Sequence, residues 1–174
     1  MKNILFLLLI SPLLLSAQNQ DAKPTSVKDQ DILEKCIAGD CKNGEGTMQY
    51  KTGIYKGTWA KGLRDGKGVY TWNNGDVYTG QWSKDKRHGY GEYVWHDGSK
   101  YHGNYSYGIR SGFGIYYYTN GTRYEGTWQN NLKHGIANYY NKQSVNYGGK
   151  YVNNKYVEGT GITQSLNENQ VSRN

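Results

Sequence analysis

From Tyr55 onward, large side chains alternate with small or polar ones in steps of two. Tyr55, Gly57 and Trp59 fall on one parity, and Lys56, Thr58 and Ala60 fall on the other. Alternation at period two marks a β-strand with one face turned inward. After a short interval the parity resumes, with Gly66, Gly68, Tyr70 and Trp72 set against Lys67, Val69 and Thr71. Two such runs joined by a loop predict a hairpin. The tripeptides Asn73-Asn74-Gly75, His96-Asp97-Gly98 and Thr119-Asn120-Gly121 predict tight type I′ turns between successive hairpins. Within each hairpin, Gly62, Asp85, Gly108, Asn131 and Asn154 tolerate the left-handed region and predict a wider loop.

The hairpin recurs. Tyr55, Tyr78, Tyr101, Tyr124 and Tyr147 stand 23 residues apart; Gly follows two places after each, and Trp59, Trp82, Tyr105, Trp128 or Tyr151 four places after. A strand glycine carries no Cβ, so a ring from the adjacent strand lies flat over its backbone, and stacked rings replace a conventional core. The pattern predicts an all-β fold: a single-layer, elongated, twisted antiparallel sheet of consecutive β-hairpins. About eleven strands at ~4.8 Å spacing give a ribbon ~50 Å long. Both prolines, Pro12 and Pro24, precede the repeats, so none interrupts the ladder. The ends deviate, as solenoid caps do. A half unit (Gly44, Gly46, Tyr50, Gly53) leads in, and the pattern weakens at Ala137, Asn141 and Ser144.

Composition agrees with a ring-based core: 24 Gly and 18 Tyr against 2 Phe, with a mean hydropathy of -0.89. Residues 1–17 carry Lys2, an apolar run from Ile4 to Leu15 and a small-residue end at Ser16-Ala17, which reads as a secretory signal peptide. The expected organisation is a signal peptide at 1–17, a linker at 18–35, a disulfide cap with half repeat at 36–54, repeats at 55–161 and a polar tail at 162–174. Cys36 and Cys41, four residues apart in an exported chain, read as a local structural disulfide. The expected address is periplasmic or secreted.

Tyr-x-Gly-x-Trp, then a loop, then Gly-x-Gly, over 23 residues, resembles the MORN repeat (membrane occupation and recognition nexus). The resemblance covers Tyr55 to about Gly161. It implies antiparallel hairpins in an elongated grooved sheet, and scaffolding, protein binding, self-association or contact with acidic lipid.

Candidate chemistry is sparse. His88 and His134 occupy equivalent places two units apart, ~19 Å along the stack, too far to share a metal. The paired glycines lack the helix that a phosphate loop requires. No catalytic constellation, cofactor or metal site is expected. Two stripes remain. The aromatic face offers Trp59, Tyr70, Trp72, Trp82, Tyr93, Trp95, Tyr105, Tyr116, Tyr118 and Trp128 as contacts. A basic margin, from loops inside the hairpins, offers Lys61, Arg64, Lys84, Lys86, Arg87, Arg110 and Lys133. The first stripe suits a protein partner or self-association. The second, on a chain of net charge +7, suits an acidic lipid or polysaccharide surface. Nucleic acid is not expected, because no recognition helix or RNA-binding pattern is present.

Overall fold

A computed structural model of the chain describes residues 34–142 and 146–159. The expected signal peptide, most of the linker and the polar tail lie outside these residues. Twelve strands are described: β1 (Lys35–Gly39), β2 (Gly44–Tyr50), β3 (Gly53–Ala60), β4 (Leu63–Trp72), β5 (Val77–Ser83), β6 (Lys86–Val94), β7 (Lys100–Ser106), β8 (Ile109–Tyr117), β9 (Arg123–Gln129), β10 (Leu132–Tyr140), β11 (Asn146–Val152) and β12 (Lys155–Gly159). They form one antiparallel sheet in strict chain order, with β1 and β12 as open edges. The half unit is thus a full strand preceded by another, and the longest strand, β4, has 10 residues.

The turns exchange the expected roles. Inside the hairpins, Lys61-Gly62, Lys84-Asp85, Tyr107-Gly108, Asn130-Asn131 and Asn153-Asn154 all have positive φ at both residues, the signature of a two-residue type I′ turn. Between hairpins only the glycine is left-handed, at 92° in Gly75, 88° in Gly98 and 81° in Gly121. There Gly75 donates to the Trp72 carbonyl (3.0 Å) while the Trp72 amide donates to Asp76 (2.9 Å), which is a three-residue loop with a glycine bulge. The Asn or Asp of the tripeptide has a different task. Asn74, Asp97 and Asn120 accept a hydrogen bond from the amide two residues on.

The core lies on one face of the sheet. Tyr55, Tyr78, Tyr101 and Tyr124 are 0 % exposed, which a single layer achieves only because rings cover rings. Each tyrosine stands edge-on between two neighbours. Tyr55 lies 5.1 Å from Trp59 and 5.3 Å from Trp82, and Tyr78 lies 5.2 Å from Trp82 and 5.3 Å from Tyr105. The series continues through Tyr101, Trp128 and Tyr124 to Tyr151. Glycine makes the bed for it, on its own strand as well as the adjacent one. A Cβ on Gly68 would stand 2.2 Å from the Tyr55 hydroxyl, and one on Gly57 would stand 2.5 Å from the Gly68 Cα. The polar ends of the rings are satisfied: Tyr55, Tyr78, Tyr101 and Tyr124 each donate to the carbonyl three residues on. Trp59, Trp82 and Trp128 donate from Nε1 to the carbonyls of Gly46, Gly68 and Gly114. Burial without a partner would cost on the order of 1–3 kcal/mol per group.

The front cap is closed by the Cys36–Cys41 disulfide, with Cα atoms 6.0 Å apart.

Candidate interaction face

The ring face carries two rows. The first is the sealed row just described. It absorbs Trp59, Trp82, Tyr105 and Trp128, all at most 5 % exposed, so these four candidates are core rather than contact surface. Tyr70 and Tyr93 are buried as well, at 3 % and 8 %. Spacing could not separate them from their neighbours, because burial here depends on which ring lies over which.

The second row is a zigzag of tilted rings. Trp72 lies 5.3 Å from Tyr93, Trp95 lies 5.2 Å from Tyr116, and Tyr118 lies 6.0 Å from Tyr139. Trp72, Trp95, Tyr116, Tyr118 and Tyr139 are only partly buried, packed against the core with one side open. On this row they are the rings left partly accessible.

Hydroxyls of the second row tie each unit to the preceding loop. Tyr70 bonds Thr52 (2.7 Å), Tyr93 donates to Asp76 Oδ2 (2.7 Å), Tyr116 to Ser99 (3.1 Å), and Tyr139 bonds Thr122 (2.8 Å). The sequence reading missed this ladder, although Asp76, Ser99 and Thr122 stand 23 residues apart. Asp76 also accepts from the His96 amide (2.9 Å) and contacts His96 Nδ1 (3.0 Å). Burial alone would raise its pKa, but the bonds from Tyr93, His96 and Asn74 outweigh that and hold it down at about 2.

The basic stripe is not the edge the sequence suggested. Lys61 and Lys84 do sit in the turns and Lys86 opens β6, all three exposed. Arg64, Arg87, Arg110 and Lys133 lie instead in β4, β6, β8 and β10, one per unit, partly buried between the two ring rows. Arg64 lies 4.5 Å from the Trp82 ring and 5.5 Å from Tyr70. Arg87 lies 5.1 Å from Tyr105 and 5.2 Å from Tyr93, and Arg110 lies 4.3 Å from Trp128. Lys133 Nζ lies 5.0 Å from Tyr124. The cause is register: Arg64 pairs with Trp59 across β3 and β4, so its side chain joins the ring face and lies down on it.

Each of the three guanidinium groups is fastened to the turn of the next hairpin. Arg64 donates from its amide and from Nε to Asp85 Oδ1, both at 3.0 Å. Arg87 and Arg110 reach the carbonyls of Gly108 (3.1 Å) and Asn131 (3.0 Å). Burial draws the Arg110 guanidinium below its ordinary pKa. It does the same to the Lys133 ammonium, with the Arg110 charge adding to the fall there.

Two cavities open between the rows. The larger, about 450 Å³, is bordered by Tyr50, Arg64, Trp72, Asp85, Lys86 and Arg87. The smaller, about 230 Å³, is bordered by Arg87, Tyr93, Trp95, Tyr105, Arg110 and Asn131. On the reverse face a shallow dent of about 570 Å³ lies over Gly57, Gly68 and Gly80, where side chains are absent.

The MORN repeat family model matches residues 55–77, 78–100, 101–123 and 124–141, four units in tandem. The chain belongs to this family, whose repeats are protein- and membrane-binding scaffolds. Comparison with curated proteins gives no match.

Proposed function

We propose that the chain is a noncatalytic repeat scaffold, acting in an exported compartment, that grips a protein partner or a second copy of itself through the ring face. The observation that carries this is the open row of Trp72, Trp95, Tyr116, Tyr118 and Tyr139. Rings held by core packing below, and in Tyr116 and Tyr139 also by hydrogen bonds to the preceding loop, offer large apolar area at little entropic cost, which is the chemistry of protein interfaces. The groups with displaced pKa values run along every unit of the sheet, many of them core phenols such as Tyr55, Tyr78, Tyr101 and Tyr124, whereas acid–base catalysis needs them convergent on a reacting atom. A closed Cys36–Cys41 bond supports the exported address.

A second reading, an envelope-surface binder of acidic lipid or polysaccharide, rests on Lys61, Lys84 and Lys86, which remain exposed along the turns. Salt and mutation separate the two. The chain is used to capture partners from its own cell extract in low and high salt, beside the double variant Trp95→Ala/Tyr118→Ala, with circular dichroism to check folding. The ring face predicts a captured partner that survives high salt and is lost by the variant. Capture that vanishes in salt yet is unchanged in the folded variant overturns it in favour of the lysine edge.

A further inference from the structure

The first rung of the cation ladder differs from the others in one respect. Arg64 has a counter-ion within the chain, Asp85, at 3.0 Å. The places equivalent to Asp85 in the next three units are Gly108, Asn131 and Asn154. The backbone geometry of the rung is kept: the Arg110 and Lys133 amides donate to Asn131 Oδ1 and Asn154 Oδ1, both at 2.8 Å, as Arg64 does to Asp85. The charge is not kept. Among the described residues no carboxylate pairs with Arg87, Arg110 or Lys133.

Rings and carbonyls offset part of the cost of holding these cations partly out of water, and an anion from a ligand would complete the pairing that Asp85 gives Arg64. We propose that Arg87, Arg110 and Lys133 form a row of seats for an extended acidic peptide bearing a carboxylate at every third residue. This rests on the ring face being the binding surface and names the partner's chemistry.

Three features of the face fit that occupant. The cations stand on β6, β8 and β10, two strands apart, hence ~10 Å at the ordinary interstrand distance. Three residues of a polyproline II chain rise ~9.3 Å, so a peptide running across the strands meets one cation per turn. The cavity of about 230 Å³ between Arg87 and Arg110 suits a single acidic side chain, and Trp95 on its border offers a plane for the peptide backbone or a proline ring. A flat membrane surface is disfavoured because these cations lie recessed between two rows of rings. Free phosphate would fill one rung and gain nothing from the spacing.

The test is a titration of the full chain with a synthetic peptide of repeated Glu-Pro-Pro triplets. The controls are a peptide of equal composition with its glutamates adjacent, inorganic phosphate, and vesicles of phosphatidylserine in phosphatidylcholine. The triplet peptide is expected to bind tighter than its rearranged control by on the order of tenfold, the size of one charge-assisted hydrogen bond. Asn131→Asp is the decisive variant. It restores beside Arg110 the acid that Asp85 supplies to Arg64 and removes neither cation nor ring, and it should weaken the triplet peptide by about tenfold, as should Arg110→Gln. Equal binding of both peptides, an unchanged Asn131→Asp variant, or tighter binding of phosphate or vesicles overturns the proposal. If the peptide fails while capture of a cellular partner still depends on Trp95 and Tyr118, the acidic-peptide proposal alone falls. If capture is independent of those rings, the scaffold reading falls with it.

Discussion

The phenol of Tyr101 crosses Gly103 on its own strand and Gly114 on the next before donating to the Asn104 carbonyl at 3.1 Å. The two glycines are not equivalent beneath it. A Cβ on Gly103 would stand 2.5 Å from the Tyr101 hydroxyl and 2.6 Å from the Gly114 Cα, which is backbone and cannot step aside; the three nearest neighbours of one on Gly114 are all atoms of the Tyr101 side chain, at 2.4 to 2.6 Å. Ala137, one unit on from Gly114, is fully buried beneath the Tyr124 unit, so the fold already accommodates a methyl at that place. Gly114→Ala should therefore cost about 1 kcal/mol and Gly103→Ala about 3 kcal/mol. Denaturation midpoints of the two variants check this; equal losses would mean that the ring, not the backbone, sets the limit. The alternation of Tyr and Gly made this packing legible from sequence. Which rings end up sealed was not legible, because Trp82 and Trp72 share parity and size and differ only in what their neighbours cover.

At the scale of the element, hairpins are held to one another through their loops as well as their ladders. Asp76, in the loop after β4, receives Tyr93 and His96 from the following hairpin. Its folded pKa of about 2 lies below the ordinary 3.8, so the charged form is the one that stabilises. That contribution is complete above pH ~4 and is lost as pH falls through about 2. Asp76→Asn should cost on the order of 1–2 kcal/mol at neutral pH, because an amide oxygen replaces the charged acceptor only in part. The gap between variant and parent should close on acidification toward pH ~2 in paired denaturation curves. A gap that is constant with pH would show that the carboxylate charge plays no part. The turns teach why elements were only partly legible. Asn-Gly and Asp-Gly favour type I′ in isolation, yet Asn74 and Asp97 turn their side chains onto the amides of Asp76 and Ser99, and a three-residue loop results. The type I′ turns fall at Lys84-Asp85 and Tyr107-Gly108, where the inter-turn bonds Asp85 to Arg64 and Gly108 to Arg87 fix positive φ whatever the local propensity.

For the whole molecule, period and parity settled the one-sheet architecture, since each unit in register with the last can pair only with its chain neighbours. They did not place the basic residues. Arg64, Arg87 and Arg110 look like a solvated margin when counted along the chain, and only the bulged pairing after Gly57, Gly80 and Gly103 turns them onto the rings. The central claim is that aromatic rings, bedded on glycine and closed over by one another, do the work of a core in a sheet with no second layer. Burial raises the phenol pKa values of Tyr55, Tyr78, Tyr101 and Tyr124 above the ordinary 10. A raised folded value gives stability that is complete below pH ~10 and is lost as pH rises beyond it, so these phenols resist ionisation until the sheet opens. Alkaline titration followed by phenolate absorbance, with circular dichroism on the same samples, reads this directly. The account predicts two classes of tyrosine, an exposed set ionising near pH ~10 and a buried set appearing only with cooperative loss of β structure. All 18 tyrosines ionising together near the ordinary value, with the sheet intact, would contradict it.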